Sequence, residues 1–162
     1  MAETPLLQVK GLRQFFPVSG HRNLRVKAVD DVSFFIREGE TFGLVGESGC
    51  GKSTVARSVM RLYDPTDGEI RLLGTDITHL KEKELRSVRK NMQMVFQDPY
   101  SSLNGRMSIQ DILLEPLIAQ RTGETRRQMV DRAAAALRKV NLSESFLQRY
   151  PHEFSGDRKS VV

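Results

Sequence analysis

The stretch Gly46-Glu47-Ser48-Gly49-Cys50-Gly51-Lys52-Ser53-Thr54 constrains the fold more than any other part of the 162-residue chain. It satisfies the Gly-x4-Gly-Lys-Ser/Thr pattern of a phosphate-binding (Walker A) loop, and the apolar run 41–45 before it reads as a buried strand. The residues after it, 52–62, read as a helix that Asp64-Pro65-Thr66-Asp67-Gly68 stops. Glycines let such a loop wrap so that successive backbone N–H groups point inward at phosphate oxygens. The helix that starts there adds its positive end. Lys52 is expected to place a cation on the β- and γ-phosphates, and the Ser53 hydroxyl to ligate a bridging Mg²⁺. ATP or GTP binding follows as the expected activity of this segment.

Around the loop the pattern is mixed. Residues 6–12 and 29–36 read as strands, with Val32, Phe34 and Ile36 on one face at period two. Residues 17–25 between them form a polar hairpin tip. Residues 69–73 and 92–96 read as further short strands, and 82–90 as a basic helix. Beyond Pro99 the chain turns helical. Ile109, Ile112, Leu113 and Leu117 mark one apolar stripe, with Pro116 as a kink. Residues 124–140 form the clearest helix, with Met129, Val130, Ala133, Ala136, Leu137 and Val140 on one side. Ser143 is placed to cap a last short helix through Phe146 and Leu147.

Composition narrows the class. No run approaches the ~18–20 apolar residues that a membrane span needs, and the first residues lack a secretory signal, so a cytoplasmic location is expected. Cys50 is the single cysteine and has no intrachain disulfide partner. The net charge of +5 invites a nucleic-acid partner, but bases and acids interleave, as in Lys81-Glu82-Lys83-Glu84, so none is expected.

From Ala28-Val29-Asp30-Asp31-Val32-Ser33-Phe34, through Gly39-Glu40-Thr41-Phe42-Gly43-Leu44-Val45 and the phosphate loop, the sequence resembles ATP-binding-cassette (ABC) transporter ATPase subunits. Met94-Val95-Phe96-Gln97-Asp98-Pro99-Tyr100-Ser101-Ser102-Leu103-Asn104 is similar to the Q-loop of the oligopeptide, dipeptide and nickel importer branch. Tyr150-Pro151-His152-Glu153-Phe154-Ser155-Gly156 is similar to that branch's approach to the signature motif. The resemblance implies an α/β fold: a P-loop NTPase core over about 6–105, opening with an antiparallel β region, and a helical subdomain over about 106–152. It implies an ATP-binding, transport-coupling ATPase with Mg²⁺, peripheral on the inner face of the membrane. Its partners would be transmembrane permease subunits and a second ABC ATPase subunit, identical or related. Residue by residue, it puts Phe16 on the adenine ring, with Phe15 as the fallback, and Gln97 on Mg²⁺ or the attacking water. Ser155 and Gly156 would face the γ-phosphate held by the opposite subunit, and His152 is structural.

The pattern breaks in two places. Gly105 stands where the branch has proline. After Gly156 the family needs another glycine and a glutamine, but the chain reads Asp157-Arg158-Lys159-Ser160-Val161-Val162. No residue matches the Walker B aspartate, the catalytic glutamate or the switch histidine, so 1–156 is expected to be a partial ABC ATPase domain that does not hydrolyse ATP. Residues 157–162 have two readings, a natural end or an untrimmed sequencing adapter, since GAT CGG AAG AGC GTC GTG encodes them. The competing classes are an ABC-type head of a DNA-repair or chromosome protein, a small-molecule kinase of similar length and a non-functional gene fragment.

Overall fold

The computed structural model describes residues 5–98 and 102–153. They divide into two compact units, Met1–Met94 and Val95–Val162, taken separately below.

The first unit is built on a four-stranded antiparallel sheet of order β2-β1-β3-β4, where β1 is Leu7–Pro17, β2 Arg25–Ile36, β3 Asp67–Leu72 and β4 Thr75–Asp76. Strand β1 pairs with β2 from Leu7↔Ile36 to Pro17↔Arg25, and with β3 from Leu7↔Leu72 to Arg13↔Asp67. The hairpin tip falls where its polar residues place it, closed by Val18 N–H donating to Leu24 O at 3.0 Å. The pairing shifts around Leu12 and Gln14, and Asp31 opposite them takes a left-handed conformation (φ 62°) that few residues other than Gly, Asn and Asp tolerate. Gly68 is required by a close approach: a Cβ there would lie 2.5 Å from Gly11 O.

Leu7, Val9, Leu12, Val29, Ile70 and Leu72 turn one face of the sheet inward. Val55 of α1 (Lys52–Val59) and Leu85 of α2 (Glu82–Val88) complete the core with Ile77. Val32, Phe34 and Ile36 pack against it as their alternation predicts. Helix α1 is shorter than the sequence suggests. Arg61 leaves the helical region (φ 54°), and its almost fully buried guanidinium donates to Ile77 O at 3.0 Å, Leu80 O at 3.3 Å and Asp64 Oδ1 at 2.8 Å. These bonds outweigh one more helical turn and clamp the end of α1 to the chain between β4 and α2.

Two expected strands are absent. Residues 41–45 and 92–96 are irregular, and no described strand pairs with either. Val45 is 93% exposed and Val95 85%. An apolar run becomes a buried strand only when a neighbour supplies its ladder.

In the second unit, helix α3 (Ile109–Ala119) contains Pro116, and its N-cap Ser108 accepts from Asp111 N–H. Helix α4 (Arg126–Lys139) starts with a Thr125–Gln128 capping box. Their shared core is Ile109, Leu114, Ala133, Ala134, Leu137 and Leu147. The apolar faces are rotated slightly from the sequence reading: Leu114 is the most buried residue of α3, Ala134 replaces Ala136 on the inner side of α4, and Val140 is exposed. Ser143 caps the 3-10 turn Glu144–Gln148, as expected.

Candidate functional site

The phosphate loop runs directly into α1. Gly51 is the N-cap of that helix, in a left-handed conformation (φ 94°), and supplies no side chain to cap the first N–H groups. The first turn holds no acidic residue. The helix therefore presents unoccupied donors and the positive end of its dipole. Gly49 also has a positive φ (84°). The two glycines differ in surroundings: nothing lies within 4 Å of a Cβ built on Gly49, whereas one on Gly51 would meet Ala28 O at 2.2 Å. Strand β2 thus forms a wall against which the loop lies, and only glycine fits between them.

Lys52 curls back over the loop. Its Nζ donates to Gly46 O at 2.7 Å and to Glu47 O, and lies 3.5 Å from Cys50 Sγ. A single ammonium bonded to two loop carbonyls sits within the curve that the loop makes. Beside it is a pocket of about 340 Å³ lined by Lys27, Asp30, Val45, Cys50, Lys52 and Val55 among others. Asp30 is engaged there by Lys27 at 3.1 Å and by Arg13 at 3.4 Å. Ser53 is exposed and Thr54 half-buried on the first turn of α1. The loop, its lysine and the adjoining helix end fit a polyphosphate, because the helix end presents backbone donors and the charge beside them is positive.

The sequence-predicted residues fall as follows. Gly46, Glu47, Ser48, Gly49, Cys50, Gly51, Lys52, Ser53 and Thr54 form one continuous loop and helix start in the first unit. Phe16, near the end of β1, is half-buried in the same unit, in an edge-to-face contact with Tyr63 (centroids 5.1 Å, planes at 82°). Phe15 instead lies under Lys27, with Nζ 5.5 Å from its ring. Gln97 is exposed in a bend of the second unit. Ser155 and Gly156 lie outside the described residues. Sequence reasoning missed Tyr63 and the wall at 27–30. Only long-range packing brings them into play, and no local pattern announces them. Among the described residues no group of three His, Cys, Asp or Glu could hold a metal ion. A Mg²⁺ bound mainly by nucleotide phosphates needs only one or two protein oxygens, so the Ser53 hydroxyl is sufficient in kind.

A loop of this build between a β region and a helix defines a phosphate-binding nucleotide site, and the family comparison specifies its class: residues 29–162 match the ABC transporter family model, and the chain belongs to that family. Among its relatives, the oligopeptide transport ATP-binding proteins AppF and OppF of Bacillus subtilis (strain 168) are each 47% identical to it, over 162 and 158 residues. Each alignment covers 97% of this chain but only 49% and 51% of the relative. The chain therefore spans about half the length of the curated relatives it matches. The fold agrees: the ATP-binding cassette MJ0796, solved as a dimer in a post-hydrolysis state bound to ADP and Pi, superposes with a TM-score of 0.76 at 26% identity. That match covers 90% of this chain and 62% of the other. No helix among the described residues is long and apolar enough to cross a membrane.

Proposed function

We propose that this chain supplies the nucleotide-binding part of the ATPase subunit that drives an ABC importer of oligopeptides or dipeptides. The observation that carries the proposal is the phosphate loop itself, with Lys52 held inside it by Gly46 O and Glu47 O and Gly51 pressed against Ala28. The names of the similar Bacillus proteins support the peptide branch.

In this reading Gly46, Glu47, Ser48, Gly49, Cys50 and Gly51 wrap the phosphates of ATP, and the backbone from Lys52 to Thr54 donates to them. Lys52 gives up its loop carbonyls and neutralises the β- and γ-phosphates. Ser53 ligates Mg²⁺, and Gln97 is assigned to the same ion on the resemblance alone. When bound, Mg²⁺ offsets the charge that develops on the transferred phosphoryl group. Phe16 stacks on adenine. Residues 1–156 form the partial ATPase domain, with 106–152 as its helical subdomain. Ser155 and Gly156 face a second ATPase subunit, and permease subunits tie the assembly to the inner face of the cell membrane.

Calorimetric titration with Mg-ATP tests the central claim. Lys52→Ala is expected to weaken binding sharply, whereas Cys50→Ser, which keeps a small polar side chain in the loop, should change it little. Equal affinity for Lys52→Ala and the parent chain refutes the assignment.

A further inference from the structure

The sheet end that carries Phe16 is strapped to α1 and to the segment that follows it. Buried Ser58 Oγ donates to buried Gln14 Oε1 at 3.4 Å. Thr66 N–H donates to Arg13 O at 2.9 Å, and Phe15 N–H donates back to Thr66 Oγ1 at 2.9 Å. Tyr63 lies within this strap. Its ring meets that of Phe16 at 5.1 Å and 82°, and its hydroxyl accepts from Arg57 Nη1 at 3.3 Å. Arg57 is on α1, five residues beyond Lys52, so one short helix carries both the phosphate cation and the anchor of the tyrosine.

The geometry points to Tyr63 as a positioning residue for the base: it sets the orientation of the Phe16 ring, and Arg57 sets the orientation of Tyr63. This rests on the reading of Phe16 as the adenine-stacking residue. A contact made from one side leaves a face of the Phe16 ring uncovered by Tyr63, and a flat base needs such a face. Strand β1 pairs regularly with β2 from Phe15 to Pro17, which fixes the backbone at Phe16 but not its ring. A free aromatic side chain loses rotamer entropy each time it stacks, and a perpendicular neighbour removes part of that cost beforehand. Tyr63 therefore acts on the base-dependent part of affinity and leaves the phosphate-dependent part alone.

The test compares Mg-ATP with Mg-tripolyphosphate, which has the phosphates but no base, on the 162-residue chain. For Tyr63→Leu, ATP should bind roughly three- to tenfold more weakly, the scale of one aromatic pair, with tripolyphosphate unchanged. Tyr63→Phe, which keeps the ring and loses only the Arg57 bond, should lose less. Phe16→Ala should lose at least as much as Tyr63→Leu. If Phe16→Ala lowers the ATP preference while both Tyr63 variants keep it, positioning is wrong and stacking stands. If Phe16→Ala leaves the preference intact, the stacking reading fails and this inference falls with it. Equal weakening of both ligands by Tyr63→Leu would show a merely structural role and would also overturn the inference.

Discussion

Gly49 and Gly51 share a left-handed backbone but not an environment, so the pair separates conformational strain from crowding. Gly49→Ala should lose only the left-handed penalty, roughly 1–2 kcal/mol. Gly51→Ala meets Ala28 O as well, and should lose about 2–4 kcal/mol, since overpacking adds its own cost. Denaturant midpoints of the two variants read the difference, and equal losses would mean that β2 does not press on the loop. At this scale the sequence is most informative where function is local in the chain. The nine loop residues announce themselves because glycines, lysine and hydroxyls must sit at fixed covalent spacing around a phosphate. Tyr63 and Asp30 gave no such signal, since tertiary packing alone brings one to Phe16 and the other to the loop pocket.

Among the elements, the hairpin, α1, β3 and α4 were legible because their patterning and caps are local. Residues 41–45 and 92–96 were misread because their spelling suits a buried strand, yet a strand exists only with a partner at long sequence separation. The end of α1 was misplaced for a related reason: the bonds that draw Arg61 out of the helix come from 77 and 80. The end of β4 carries a pH-dependent bond. Asp76 accepts from the Thr78 hydroxyl at 2.6 Å and its N–H at 2.9 Å, and these hold its carboxyl below the usual carboxylate range, with Arg71 helping. The same hydroxyl accepts from Ile70 N–H of β3 at 2.8 Å. A carboxyl whose pKa is depressed in the fold adds stability above its unfolded value, near 4. That contribution is lost as pH falls through the lower folded value. Asp76→Asn should therefore be less stable than the parent at pH 7, with the gap closing toward pH 2–3. A gap that is constant across that range in chemical unfolding would exclude the linkage.

For the whole molecule, binding and turnover are separable expectations. In the proposed reading Lys52 and Ser53 serve the phosphates and Mg²⁺, but hydrolysis also requires a residue that orients the attacking water. None of residues 1–162 matches the family's catalytic glutamate or switch histidine. We therefore predict that residues 1–162 taken alone bind nucleotide without useful turnover. Phosphate release by the purified chain should not exceed that of its Lys52→Ala variant. Lys52-dependent release near the ~1–10 s⁻¹ typical of enzymes would contradict this.

The run 92–96, in which Met92 packs against the first core while Val95 and Phe96 are exposed, bears on how the polypeptide behaves in a crowded solution. Met92-Gln93-Met94-Val95-Phe96 is uncharged and proline-free, and no described strand pairs with it. Such a segment can recruit its own copies, so molecules should self-associate as concentration rises while each remains folded. A single gatekeeper charge should delay this. Val95→Lys is expected to raise the concentration at which light scattering appears and to leave the unfolding midpoint within about 0.5 kcal/mol of the parent, because Val95 is already 85% exposed.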